Sequence, residues 1–188
     1  MSTEARYFTV KQFNRITYGA AHVIVKYRKY MRLIDKVFRS QIMVAVSSVN
    51  KCRVCSYVHT KGLIKSGISN EELKDILDGS FENLTEEISL ALIFAQHYAD
   101  QVGKYDQEAF NKIIDYYGKE YAYGIMTTIK IIMFGNTNGI ALTNLSNRLR
   151  FKKVKNAKFL TDLYNGFAGY VLLPFFIIIN LFTKKKTF

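Results

Sequence analysis

This sequence of 188 residues has few residues that break helices and few that form covalent links. It contains one proline and 11 glycines, which favours helices over a turn-rich β structure. Two cysteines are too few for a disulfide-stapled scaffold. The first six residues are polar, and no apolar segment of a secretory signal follows them. We therefore expect one all-α domain, with or without a tail, in the reducing cytoplasm.

Positive charge is abundant but unevenly distributed. The formal net charge is +12, yet residues 67–120 hold 12 acidic and only four basic side chains. Such blocks arise when helices pack through complementary faces, when subunits meet head to tail, or when a basic surface faces anionic lipid. The sequence has no zinc-finger spacing and no nucleic-acid-binding motif. We therefore expect no nucleic-acid partner.

Apolar residues recur at helical spacing along the first part of the chain. Val10 to Phe38 predicts one long helix or two short ones, and Gln41 to Val49 predicts another. Asn50 is the predicted N-cap of the helix that carries both cysteines, and this helix should end near Gly67.

Capping residues predict the helices that follow. Three helix starts are predicted in this way, at Ser69, Thr85 and Asp106. Gly79 is predicted to end the first of these helices. From Tyr121 to about Leu149 the sequence has a long apolar pattern, which is interrupted by Gly135, Asn136, Asn138 and Gly139.

The C-terminal segment is unusually apolar. Residues 165–183 carry no charge, and Lys184, Lys185 and Lys186 follow them. This is near the roughly 20 residues that cross a membrane, although the segment contains Pro174. Two readings stay open: a helix buried against the core or in an oligomer, and a helix in or on a membrane with lysines at the headgroups. We divide the chain into a helical domain, 1–160, and an apolar helix with a basic tail, 161–188.

The two cysteines are close together and have a histidine nearby. Cys52, Cys55 and His59 have helical i, i+3, i+7 spacing, so their side chains share one face. The positive end of the helix, with Lys51 and Arg53, favours the thiolate of Cys52. The His59 ring can reach back to Cys55 and accept its proton. The spacing predicts a redox-active dithiol.

Two other interpretations of these residues stay open. A structural zinc site needs four ligands, so His22 or His97 would have to supply the fourth. Alternatively, the cysteines are buried thiols and His59 is an ordinary core residue. We favour the redox dithiol and expect no metal.

Residues 41–79 resemble the core motif of the alkylhydroperoxidase D and carboxymuconolactone decarboxylase family. The matching features are an apolar helix, the pattern C-x-x-C-x-x-x-H-T, and a Gly-Ile-Ser helix start with acidic residues behind it. Asn136 and Asn138 resemble an Asn-rich stretch that packs near the family's site. The resemblance implies an alkylhydroperoxidase D-like helical bundle, here with an extra apolar C-terminal helix. It also implies a homo-oligomer, a trimer or a hexamer.

The resemblance implies peroxide reduction without a bound cofactor. Cys55 would attack the peroxide to give a sulfenic acid, and Cys52 would resolve it to a disulfide. A thioredoxin-like or lipoyl dithiol would restore the reduced pair. Ser40 stands where the family's peroxidases carry a glutamate, and Val54 where they carry a histidine. General acid–base help is worth about 10²- to 10⁴-fold, so we expect inefficient turnover, with Ser40, Asn136 and Asn138 as candidate relay or pocket residues.

Two other functions are compatible with the resemblance. One is a non-redox enzyme of the decarboxylase branch, whose members commonly lack the cysteine pair. The other is a membrane-associated binding protein that keeps the fold and uses residues 165–188.

Overall fold

The computed structural model describes residues 4–183, which form nine α-helices and no strand. The prediction of an all-α fold is confirmed. The helices are α1 (Val10–Lys26), α2 (Arg28–Met31), α3 (Lys36–Asn50), α4 (Arg53–Lys65), α5 (Asn70–Asp78), α6 (Glu86–Asp100), α7 (Gln107–Tyr117), α8 (Lys119–Leu149) and α9 (Phe159–Phe182).

Side-chain caps define most of the helix starts. Ser69 forms a reciprocal capping box with Glu72 at the start of α5. The Thr85 side chain accepts from a backbone amide of α6, and Asp106 does the same for α7. The α5 helix ends at Gly79, which is left-handed. The predictions at these four positions are confirmed. They could be made from the sequence because short-range hydrogen bonds determine these helix ends.

The predicted N-cap at Asn50 is wrong. Asn50 is the last residue of α3, and its fully buried side chain donates to Sδ of Met133 at 3.1 Å. Lys51 then adopts a left-handed conformation, with φ of 55°, and Cys52 takes the N-cap position of α4. The tertiary contact with Met133 thus occupies the Asn50 side chain, which is then not available to cap α4.

The long apolar segment forms a single helix despite the glycines and asparagines within it. The α8 helix runs unbroken for 31 residues. It forms the centre of the domain, where it packs against α1, α2, α3, α4, α6, α7 and α9. Polar and small residues within it serve contacts between helices: Asn136 accepts from Ser47 of α3 at 3.0 Å, and Asn138 donates to backbone carbonyls of α9.

At Gly124 the α8 helix passes unusually close to α2. A Cβ added at Gly124 would lie 2.6 Å from the backbone oxygen of Tyr30 and 3.1 Å from Cδ1 of Ile34. Contact of this kind is possible only for glycine, because any other residue would press on the neighbouring backbone.

The α9 helix lies along α1 and α8, with polar side chains directed inwards. Asp162 pairs with Arg148, Asn165 donates to the carbonyl of Phe8 at 2.8 Å, and Asn180 bonds the buried ring of His22 at 2.9 Å. The helix is continuous through Pro174. Its inner face is therefore fixed to the domain by specific polar contacts.

The outer face of α9 carries large apolar side chains that are exposed in the chain. Among residues 4–183, α9 is also the one helix long and apolar enough to cross a membrane. Lys184, Lys185 and Lys186 lie outside the described residues, and the division of the chain at residue 160 stays a prediction. The exposed residues recur at helical spacing: Leu160, Leu163, Phe167, Tyr170, Val171, Phe175, Ile178 and Leu181.

Candidate redox site

The two cysteines form a disulfide across the start of α4, with their Cα atoms 5.3 Å apart. Cys52 is the N-cap and is fully buried, whereas Cys55 lies one turn into the helix and is partly exposed. Of the two sulfurs, that of Cys55 is the one that an approaching molecule can reach.

The sulfur pair packs directly on the backbone of α8. Sγ of Cys55 lies 3.8 Å from the carbonyl oxygen of Gly135, to which the reduced thiol can donate. A Cβ added at Gly139 would lie 3.2 Å from Sγ of Cys55 and 3.4 Å from Sγ of Cys52. The missing side chain of Gly139 therefore makes room for the bonded pair.

Gly139→Ala is expected to shift the dithiol–disulfide equilibrium towards the dithiol. The added methyl presses on both bonded sulfurs, whereas two free thiols can rotate away separately. Overpacking costs about 1–3 kcal/mol, so we expect a shift of about tenfold, measured by titration in a glutathione buffer. Gly135→Ala is the matched control, since its Cβ would meet only Cδ1 of Ile132, at 3.8 Å. Equal shifts in the two variants would contradict this interpretation.

Positive charge surrounds the buried sulfur. No side chain caps the N-terminus of α4, so its first amides and the helix dipole favour an anion at Cys52. Lys51 and Arg53 flank that sulfur, and neither forms an ion pair with a carboxylate in the range 4–183. This environment favours the thiolate once the disulfide is reduced.

His59 lies one turn beyond Cys55 on α4 and is half-buried. Burial lowers the pKa of His59, because the protonated ring loses hydration there. The imidazole is thus mainly neutral at pH 7 and can accept a proton. Within residues 4–183 His59 makes no hydrogen bond in this oxidised state, and its role as the base for Cys55 stays a prediction.

The candidate relay residues lie in different surroundings. The hydroxyl of Ser40 donates to the carbonyl of Lys36 at 2.9 Å, within α3. Asn136 is fully buried, and its Nδ2 has no hydrogen-bond partner in the described part of the chain. Asn138 is tied to α9 through the carbonyls of Asn165 and Gly166, at 3.0 and 2.9 Å. Of the three, Asn136 alone keeps an unused donor in the α3–α8 layer beside the disulfide.

The two histidines proposed as a fourth zinc ligand have other surroundings. Nδ1 of His22 bonds Asn180 on α9, and His97 is exposed on α6. No group of three or more His, Cys, Asp or Glu side chains within residues 4–183 is arranged to hold a metal ion.

Sequence reasoning named Asn136 and Asn138 of α8 as candidates but missed the two glycines of this helix that contact the disulfide. Gly135 and Gly139 were noted only as interruptions of the apolar pattern, although their i, i+4 spacing puts both on one face of a helix. Two glycines at that spacing in an apolar helix indicate a close approach by another element. The sequence does not say which element that is.

A comparison with known protein families matches residues 20–81 to the carboxymuconolactone decarboxylase family. This range includes both cysteines and His59 and extends from the second half of α1 to the residues after α5. It contains neither α8 nor α9. No curated protein and no solved structure matches the chain.

Proposed function

We propose that this chain, whose residues 20–81 match the carboxymuconolactone decarboxylase family, is a thiol-dependent peroxidase or disulfide oxidoreductase. The observation that carries this proposal is the Cys52–Cys55 disulfide at the uncapped start of α4. One sulfur is accessible, the other is buried next to unneutralised cations, and a neutral imidazole lies one turn away. These are the features that reversible two-electron thiol chemistry requires.

In the proposed reaction the Cys55 thiolate attacks the terminal oxygen of a hydroperoxide. The O–O bond breaks, the alkoxide leaves and takes a proton, and Cys55 becomes a sulfenic acid. The Cys52 thiolate then attacks the sulfur of Cys55, so that the S–S bond forms and hydroxide leaves as water. His59, mainly neutral at pH 7, accepts the thiol proton of Cys55 at the start.

We propose that a thioredoxin-like or lipoyl dithiol reduces the disulfide again, and that the protein works as a homo-oligomer in the cytoplasm. Support for oligomerisation comes from the exposed apolar side chains of α4, which include Val54, Tyr57 and Val58. Ser40 carries no carboxylate, so we expect slow turnover.

Stoichiometric peroxide should close the disulfide in the reduced protein. We expect a loss of about 2 Da across residues 52–55, for the two hydrogens released when one disulfide forms, together with the loss of two titratable thiols. The measurement is mass spectrometry of the peptide before and after peroxide. A reduced protein that keeps both thiols under these conditions would refute the redox proposal.

A second proposal concerns α9. We propose that its outer face lies on an anionic membrane surface, and the exposed apolar stripe is the observation that favours this. The inner face is bonded to the domain through Asp162, Asn165 and Asn180, which suits a helix lying on a bilayer rather than crossing it. Lys158 precedes α9, and three lysines follow it in the sequence.

Val171→Glu is expected to reduce binding to anionic vesicles by about tenfold or more, because one buried large apolar side chain contributes about 1.5–3 kcal/mol. Val171 is 70% exposed, so the change should not affect folding. Sedimentation with phosphatidylserine vesicles measures binding, and Ile93→Glu on α6 is the control, because Ile93 is an exposed apolar residue outside both α9 and α4. If the wild-type protein does not bind vesicles but forms an oligomer that Val171→Glu disperses, the outer face of α9 is a subunit contact instead.

A further inference from the structure

A cavity of about 370 Å³ lies at the start of α4. Cys52 and Arg53 form part of its wall, together with the N-terminal segment, α8 and the start of α9, whereas Cys55 does not. The cavity is therefore separate from the accessible sulfur, and the reaction proposed above does not use it. Its volume lies within the range of about 300–1,000 Å³ that is typical of small-molecule sites.

The wall of this cavity carries an excess of positive charge. Its two acidic residues are each paired, Glu4 with Lys155 and Asp162 with Arg148. With the uncapped N-terminus of α4 at the same place, the remaining basic side chains favour an anionic group in the cavity. Three of them have no carboxylate partner within 4.0 Å among residues 4–183: Lys51, Arg53 and Lys153.

A buried amide in the wall indicates a second feature of the ligand. Asn165 lines the cavity and is 3% exposed. Its Nδ2 donates to the carbonyl of Phe8 at 2.8 Å, but its Oδ1 has no hydrogen-bond partner in the described chain. Because buried polar atoms are normally paired, this oxygen suits a ligand that offers a hydroxyl or N–H donor beside its negative charge.

We propose that this cavity binds a small organic acid with a carboxylate or phosphate group and a hydroxyl or N–H donor, and that this ligand favours the disulfide over the dithiol. A neutral molecule would leave the three cations unpaired, and an anion without a donor would leave the oxygen of Asn165 unpaired. The cavity has room for a small organic acid but not for a protein domain. The coupling rests on the proposed redox function, whereas the binding does not.

The coupling follows from cations that the ligand and Cys52 share. In the disulfide the Cys52 sulfur is uncharged, but after reduction its thiolate attracts the same basic side chains that attract the ligand. Because Cys52 is fully buried, water screens the repulsion between the two anions less than it would at the surface. Linkage is reciprocal, so the dithiol weakens binding of the acid by the same factor by which the acid disfavours the dithiol.

Binding is tested on the oxidised protein at low salt, by isothermal titration calorimetry with L-malate, succinate and malamide, the uncharged diamide of malate. Three exposed cations should favour malate over malamide by about tenfold, and added salt should reduce this preference. The hydroxyl of malate, which succinate lacks, should add about fivefold by pairing with Asn165. Malate that binds no more tightly than malamide would overturn the proposal, and succinate that binds as tightly as malate would overturn the role of Asn165.

A matched pair of variants locates the binding site. Lys153→Gln should weaken malate binding about threefold, by the loss of one interaction with an exposed cation. Lys61→Gln removes the same charge from an exposed position of α4 outside the cavity wall, and malate binding should stay unchanged. If both variants weaken malate binding equally, the cavity is not the site.

The coupling is tested by titration of the protein in mixtures of reduced and cyclic dithiothreitol. Reduced dithiothreitol opens the disulfide by two thiol exchanges and becomes the cyclic disulfide, so that two electrons pass to the cysteines. Saturating malate should lower the ratio of dithiol to disulfide about fivefold, through repulsion of the thiolate, and malamide should not change it. A ratio that bound malate leaves unchanged would overturn the coupling. No peroxide is used, so failure of the peroxidase proposal and failure of this one are distinguishable.

Discussion

Cys55→Ser protein should consume no peroxide above the rate without protein, whereas Cys52→Ser protein should complete one turnover and stop. Cys55 supplies the accessible sulfur, so its loss removes the nucleophile itself. Cys52 is fully buried and serves only to resolve the sulfenic acid. Peroxide loss by the pre-reduced protein is measured after the dithiol has been removed, because free dithiol would itself reduce the sulfenic acid. A sulfenic-acid trap identified by mass spectrometry reports the single turnover.

The two serine variants control for each other, since each lacks the disulfide and each replaces one sulfur with oxygen. A general effect of losing the disulfide would lower peroxide consumption equally in both and leave no trapped sulfenic acid in either. Peroxide loss in Cys55→Ser protein that equals the wild-type rate would eliminate the peroxidase function. Urea unfolding of both variants establishes that the domain remains folded.

Gly124→Ala is expected to lower the free energy of unfolding by about 2–4 kcal/mol, in the upper range of single substitutions. The new Cβ would lie 2.6 Å from the backbone oxygen of Tyr30, which cannot rotate away as a side chain can. The α2 helix would have to move away from α8, and the apolar contact with Ile34 would loosen with it. Urea denaturation measures the loss, as a lower midpoint at an unchanged m-value.

Gly62→Ala is the control for this substitution. Gly62 also lies within a helix, but a Cβ there would meet nothing within 4 Å. Alanine is the better helix former by about 0.8–1 kcal/mol, so this variant should gain stability. A loss of similar size in both variants would mean that the close approach of α2 and α8 does not constrain Gly124.

Local sequence determines most of the helix ends and the spacing of the redox motif. The caps at Ser69, Thr85 and Asp106 each use a side chain and a backbone amide within three residues. Such contacts depend little on the rest of the fold, and so they can be predicted. The same holds for Cys52 and Cys55, whose separation by one helical turn brings their sulfurs within bonding distance.

Contacts between distant parts of the chain could not be predicted. Asn50 is a favourable N-cap residue, but its side-chain amide donates to Met133, more than 80 residues away. Gly139 contacts the disulfide only because α8 crosses the start of α4. Asn180 interrupts an apolar sequence pattern, yet it meets His22 of α1 in the fold. In each case tertiary packing decides what a local pattern leaves open.

The polar contacts that join α9 to α1 and α8 make this helix an integral part of the domain rather than a flexible appendage. Any surface that binds α9 therefore holds the sulfur pair at a fixed distance from that surface and in one orientation. On a bilayer, such a protein would diffuse in two dimensions. Its choice of oxidants would then depend on which hydroperoxides gather near that plane as well as on the chemistry of the thiol.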